Sequence, residues 1–232
     1  MIVSEVVVVV PARNEERLLP RCLHALRRSA AAVSVPVRIQ VVLDGCTDGS
    51  ARSVGPGIGV LTLDERNVGA ARRAGFAAAG AGCGRKTWFA TTDADSEVDP
   101  WWLRRQLRHA RLGAEVVAGV VRVDDWGTHS SATRLLYEQR YRRGNGEAHG
   151  HVHGANLGFR ADTYWRAGGF AALTTGEDVD LVERALALGA RIAWADDVIV
   201  TTSARRIGRA PEGFAAHVRS LNPRYASEAD SA

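Results

Sequence analysis

Asp93-Ala94-Asp95 places two carboxylates two residues apart, directly after the short apolar run Lys86-Thr87-Trp88-Phe89-Ala90-Thr91-Thr92. Along an extended backbone, side chains at i and i+2 share a side. Asp93 and Asp95 can therefore face one hard, oxygen-seeking cation such as Mg²⁺ or Mn²⁺. A divalent ion held by so few protein ligands keeps positions open for the oxygens of a phosphate-bearing substrate. Taken alone, the triplet also reads as an ordinary acidic turn after a strand.

Four further segments carry candidate groups. Pro11-Ala12-Arg13-Asn14-Glu15-Glu16 closes the first apolar run, and its exposed backbone can hold a flat base or a ribose edge. The plainer reading is a turn whose acids suit a helix N-terminus. Asp44-Gly45-Cys46-Thr47-Asp48-Gly49-Ser50 offers a carboxylate for a nucleobase N–H, or a turn capped by Thr47 or Asp48. Asn67-Val68-Gly69-Ala70-Ala71-Arg72 opens a helix whose free N–H groups and Arg72 can face phosphate; the competing reading is a surface arginine. Thr175-Gly176-Glu177-Asp178 sets carboxylates at a helix start, as a cap or as a general base.

The histidines of His149-x-His151-x-His153 would share one side of an extended segment, as a metal site requires. The glycines around them, Gly144, Gly146, Gly150 and Gly154, favour a loop instead, with His153 beside the Gly154-Ala155-Asn156 segment. Trp101 and Trp102 can stack on a sugar, with at least one of them expected in the core.

Alternating elements must position these groups. Val3–Val10, Ile39–Leu43, Gly59–Leu63 and Thr87–Thr91 read as strands, with Glu15–Ala30 and Val68–Gly80 as helices between them. Asp48 would cap a short helix through Val54. This alternation predicts an α/β fold with a mostly parallel central sheet flanked by helices. Ligands of such sheets bind beyond the carboxyl ends of the strands, where Pro11–Asn14, Asp44, Asn67 and Asp93–Asp95 all fall. Further on, Pro100 would take the first position of a helix. Strands are expected at Glu115–Val123, Asn156–Arg160, Arg191–Trp194 and Val198–Thr202. Helices are expected around Ala132–Arg143, Ala161–Ala167, Asp178–Ala187 and Pro211–Leu221, with a frayed tail after Arg224.

Composition narrows the class. The 232 residues, 46% hydrophobic and 24% charged, suit one globular domain. No apolar run is long enough to span a bilayer, and Val6–Val10, followed at once by Pro11 and Arg13, reads as a core strand and not a signal peptide. Cys22, Cys46 and Cys83 form neither a zinc pattern nor a disulfide framework, so a reducing cytoplasm is expected. The net charge is +4 with pI near 9.3, and Lys86 is the only lysine. That balance suits a phosphate-bearing ligand or peripheral contact with an anionic membrane. Nucleic acid is disfavoured, because the arginines are spread along helices without an aromatic-interleaved basic stretch.

In their order, these motifs resemble the family 2 glycosyltransferases of the GT-A fold, from Val6 to about Leu221. Gly154-Ala155-Asn156-Leu157-Gly158-Phe159-Arg160, Gly168-Gly169-Phe170 and Val200-Thr201-Thr202-Ser203-Ala204-Arg205-Arg206 add to the resemblance. It implies a metal-dependent, inverting transfer of a sugar, a hexosyl group by preference, from a nucleotide-diphospho-sugar to an acceptor hydroxyl. A UDP-sugar is favoured over a GDP-sugar. Pro11, Ala12 and Glu15 would hold base and ribose, and Asp44 would accept the base N–H. Asp93 would lie near the ribose or the metal's waters, and Asp95, in this DXD motif, would ligate Mg²⁺ or Mn²⁺ on the diphosphate. The segment holding Arg205 and Arg206 lacks the late metal-binding histidine of some relatives, and His217 lies farther on, so either water would complete the metal sphere or Arg205 and Arg206 would touch the diphosphate. Asp178 would deprotonate the acceptor. Residues 1–98 would form the nucleotide-sugar half of a single domain, 99–223 the acceptor half and 224–232 a tail. The Gln-x-x-Arg-Trp motif of processive synthases is absent, so single transfer is expected. Two alternatives stand beside this: a nucleotidyltransferase, which needs a Gly-rich basic loop where Pro11–Glu16 lies, and a non-catalytic nucleotide-sugar-binding domain.

Overall fold

The computed structural model describes residues 2–79, 84–123, 126, 134–135 and 150–202. Strand β1 (Glu5–Ala12) lies between β2 (Val37–Asp44) and β4 (Thr87–Thr91), parallel to both, and β3 (Gly59–Leu63) extends the sheet beyond β2. A central strand covered on both faces must be apolar throughout, which accounts for the unbroken valine run. Val6, Val8 and Val10 point into one core and Val7 and Val9 into the other. Each such fully buried valine contributes about 1.5–3 kcal/mol of burial free energy.

Beyond β4 the sheet becomes mixed. Strand β7 (Leu157–Arg160) enters between β4 and β6 (Val116–Val123), antiparallel to both. Strand β8 (Ile192–Thr202) runs parallel to β6, and β5 (Ser96–Val98) pairs antiparallel on its outer side, giving the order β3-β2-β1-β4-β7-β6-β8-β5. The parallel arrangement expected from the alternation therefore holds for the first four strands. The two strands expected at Arg191–Trp194 and Val198–Thr202 are one, with a register jump opposite Gly119/Val120. Strand β5 has only three residues and left no periodic signal.

Helices α1 (Leu19–Ala31) and α3 (Trp102–Arg111) cover one face of the sheet. Helices α2 (Val68–Ala79), α4 (Ala161–Arg166) and α5 (Glu177–Ala187) cover the other. On the second face Phe76 stacks on Phe89 at 4.6 Å between ring centroids. Gly75 lets α2 press close, since a Cβ there would lie 2.6 Å from a Val9 methyl. Helix α1 starts four residues later than expected, because Glu15 to Leu18 serve the loop that precedes it. Pro100 is not the first helical residue: Trp101 caps α3, and the Asp99 carboxylate accepts the Trp101 N–H at 2.8 Å.

The helix expected around Ala132–Arg143 lies outside the described residues except for Arg134 and Leu135, which are helical. The segment Pro211–Leu221, the tail, Cys83, His149, Arg205, Arg206 and His217 also lie outside them. Among the described residues no helix is long and apolar enough to cross a membrane.

Candidate active site

The loops after β1 and β2 are tied to each other. Asn14, at φ +55°, accepts the Thr47 N–H on Oδ1 at 2.7 Å. The Glu15 N–H donates to Ser50 Oγ at 2.7 Å, the Glu16 N–H to Asp48 Oδ2 at 3.0 Å, and the Gly49 N–H to Glu16 Oε2 at 2.8 Å. Asp48 caps a short 3₁₀ turn, Gly49–Ser53, through the Ser50 N–H, as its spacing predicted. Pro11, Ala12 and Glu15 thus sit on a braced shelf at the carboxyl ends of the strands, with Ala12 and Glu15 buried.

Asp44 is buried, and three backbone donors of the β3–α2 loop point at it. Oδ1 accepts the Glu65 and Arg66 N–H groups and Oδ2 the Asn67 N–H, each at 2.8 Å. Its first task is therefore to shape that loop, a task invisible in local sequence. Asn67 caps α2 by accepting the Ala70 N–H at 2.9 Å, and its amide donates to the Leu173 carbonyl at 2.9 Å. Gly69 presses against Ala171, whose carbonyl would lie 2.0 Å from an added Cβ. The start of α2 is thus covered by the 171–173 segment, which corrects the expectation that its N–H groups face phosphate.

Arg72 departs most from its sequence reading. It is neither a surface residue nor a phosphate-facing one: it is 2% exposed. Nη2 donates to Asp93 Oδ1 at 2.7 Å and Nη1 pairs with the buried Glu177. Its guanidinium lies 5.3 Å from the centre of the Phe170 ring. Burial opposes the charged form, but Asp93, Glu177 and Asp178 outweigh it and hold the arginine's pKa above its ordinary value.

The same cation lies against Gly154. A Cβ there would lie 2.5 Å from Arg72 Nη2, so any larger residue would have to displace the paired guanidinium. The Gly154 N–H donates to Asp178 Oδ2 at 2.6 Å, and the Val179 N–H to Oδ1 at 2.9 Å. Helix α5 begins after Gly176, at φ +73°, and its first turn carries Glu177, Asp178 and Asp180 where the helix dipole favours negative charge. Glu177 turns inward and Asp178 stays partly exposed. Arg72 therefore joins Asp93 to Glu177 and packs against Gly154, whose N–H holds Asp178, so the Asp93–Asp95 turn and Asp178 are neighbours. Glu177 and Gly154 were missed as site residues, because their common partner lies on α2.

Asp93-Ala94-Asp95 forms a turn closed by the Ser96 N–H on the Asp93 carbonyl at 3.1 Å, not an extension of β4. Both carboxylates still lie on the accessible side while Ala94 is buried. Two partly exposed hard oxygen donors side by side fit a divalent cation that shares its remaining positions with phosphate oxygens. Cys22 lies beneath, its thiol donating to the Asp93 carbonyl at 3.3 Å. Burial, followed by the charges of Asp95, Asp93 and Glu97, pushes that thiol far above its ordinary pKa, so it is no nucleophile.

His151 and His153 stack with ring centres 6.1 Å apart. No trio of metal-ligating side chains occurs among the described residues. His153 immediately precedes Gly154 and so stands beside Asp178. Asn156 is structural: its amide donates to the Val120 and Val198 carbonyls, and its oxygen accepts from buried Trp102 at 2.8 Å. Trp101 is the exposed member of the tryptophan pair.

The sequence model described as "Glycosyl transferase family 2" matches residues 7–167. No curated protein sequence gives a significant match. Solved structures share the fold. Staphylococcus aureus TarS 1–349 in complex with UDP-GlcNAc is 15% identical at a TM-score of 0.66, over 94% of this chain and 65% of that one. The mannosyltransferase PcManGT of Pyrobaculum calidifontis, in complex with GDP-Man and Mn²⁺, is 21% identical at 0.65, over 88% and 58%. A second TarS 1–349 structure is 16% identical at 0.63, over 86% and 60%. The chain thus spans between 58% and 65% of the length of these solved chains, and 43% of a longer TarS chain.

Proposed function

Because the chain belongs to glycosyl transferase family 2, we propose that it moves a sugar, preferably a hexosyl group, from a nucleotide-diphospho-sugar to an acceptor hydroxyl with the help of Mg²⁺ or Mn²⁺. The observation that supports this reading is the Arg72 bridge from Asp93 to Glu177, next in sequence to Asp178.

Pro11, Ala12 and Glu15 form the shelf for base and ribose. Asp44 Oδ2, with one backbone bond, keeps a lone pair for a base N–H. Asp95 and Asp93 would hold the divalent cation, which when bound supplies Lewis-acid neutralisation of the departing diphosphate. Arg72 holds Asp93 in place and keeps its side chain from swinging away. Asp178 takes the proton from the acceptor hydroxyl, its carboxylate oriented by the Gly154 and Val179 N–H groups. Attack from the side opposite the diphosphate inverts the anomeric centre. Arg205 is proposed to contact the diphosphate.

TarS was solved with UDP-GlcNAc and PcManGT with GDP-Man and Mn²⁺; both nucleotide classes are therefore tested, with UDP preferred. The experiment is thermal stability with UDP, GDP, CMP or dTDP, each with Mn²⁺ or with EDTA. A single nucleotide that stabilises only with metal is the expected result. Failure of every nucleotide would turn the reading toward a non-catalytic domain.

A further inference from the structure

Helices α1 and α3 pack side by side over one face of the sheet, the Leu103 N–H donating to Ser29 Oγ at 3.1 Å. Neither helix contains an acidic residue, while α1 carries three arginines and α3 four. Leu23, Leu26, Trp102 and Leu107 turn into the core, so the arginines point outward. On the opposite layer, by contrast, α5 carries four acids, Glu177, Asp178, Asp180 and Glu183, against one arginine. The outward side of the α1/α3 layer is therefore rich in arginine.

Part of that charge is compensated from outside the helices: Arg21 pairs with Glu97, Arg105 with Asp99 and Arg108 with Asp197. Arg28, Arg104 and Arg111 have no carboxylate partner among the described residues. Two apolar groups stand among them. Trp101 is 47% exposed, with the Arg104 guanidinium 5.2 Å from its ring centre, and Leu112 is 80% exposed at the far end of α3. A tryptophan with an arginine on its face, in a field of unpaired cations, suits the boundary between anionic headgroups and acyl chains.

We propose that the α1/α3 layer docks the protein on an anionic lipid bilayer. The arginines supply charge attraction, and Trp101 and Leu112 dip below the headgroups. Duplex nucleic acid would satisfy the charge but gives Trp101 and Leu112 nothing to enter. The proposal stands apart from the transfer reaction, because none of these side chains belongs to the cleft.

The test is co-sedimentation of the full chain with phosphatidylcholine vesicles, with and without phosphatidylglycerol, at low and high salt, beside a duplex DNA control. Pelleting is expected only with phosphatidylglycerol, with release at high salt. The triple variant Arg28→Gln/Arg104→Gln/Arg111→Gln should lose roughly a hundredfold in partition coefficient, since each basic residue near a surface contributes about 1 kcal/mol. Trp101→Ala/Leu112→Ala should weaken vesicle binding without changing retention on DNA. The proposal is overturned if phosphatidylglycerol vesicles do not pellet the protein, or if the triple variant partitions like the parent. It is equally overturned if DNA binds as tightly as vesicles and the apolar double variant alters neither.

Discussion

Arg72 Nη2 lies 2.7 Å from Asp93 Oδ1 while its other terminal nitrogen holds Glu177, so one buried cation ties the end of β4 to the start of α5. Removing a partner from a buried ion pair strands the other charge, at a cost of about 3–5 kcal/mol. Arg72→Met should lower unfolding stability by roughly that amount, read as a shift in urea midpoint. Adding Glu177→Gln should restore part of the loss. An additive double variant would show that the two residues are not energetically coupled.

Asp95→Ala should remove the dependence of nucleotide binding on Mn²⁺. At about a hundred times its dissociation constant, a nucleotide should stabilise the parent by roughly 2.7 kcal/mol. The variant should show no difference between Mn²⁺ and EDTA. Undiminished metal-dependent stabilisation would exclude Asp95 as a ligand.

Asp178→Asn should keep nucleotide binding and slow transfer by about 10²–10⁴-fold, the range for loss of a general base. Asparagine can keep only part of the carboxylate's contacts with the Gly154 and Val179 N–H groups, so a stability measurement must accompany the kinetics. Transfer near the parent rate would assign the base elsewhere.

Asp44→Asn turns one acceptor toward the β3–α2 loop into a donor. One of the Glu65, Arg66 and Asn67 N–H groups would then face an N–H₂. A loss of about 1–3 kcal/mol is expected for a buried donor left unsatisfied, visible in thermal unfolding without any ligand. An unchanged melting temperature would mean that the loop holds without the carboxylate.

Cys22 should resist thiol reagents in the folded protein and react on unfolding. Its folded pKa is raised by burial and by the charges of Asp95, Asp93 and Glu97, while the unfolded thiol ionises near about 8.5. The folded state therefore holds its proton more tightly. This contribution is fully present below the unfolded pKa and is lost as pH rises above it. Stability should fall from about pH 8 upward, and Cys22→Ala should flatten that slope. Equal slopes would remove Cys22 as the cause.

The sequence by itself determined the features written in neighbouring residues. The bounds of β3 and β4 coincide with the apolar runs Gly59–Leu63 and Thr87–Thr91. The Asp48 cap follows from spacing alone, and the order of the motifs was enough to find the family; Asp93 and Asp95 are both partly exposed, but in a turn and not on the extended segment that the spacing argument assumed. Only the tertiary structure decided the rest. Arg72 looks like any arginine on an alanine-rich helix until its partners are placed, 21 residues away at Asp93 and 105 away at Glu177. The inward turn of Glu177, the close approach of Arg72 to Gly154 and the antiparallel insertion of β7 likewise depend on distant segments. Periodicity and capping record contacts within a turn or two of chain, where the backbone itself sets the geometry. Which charge is buried against which depends on how the layers pack, and that is decided only when the whole sheet has formed.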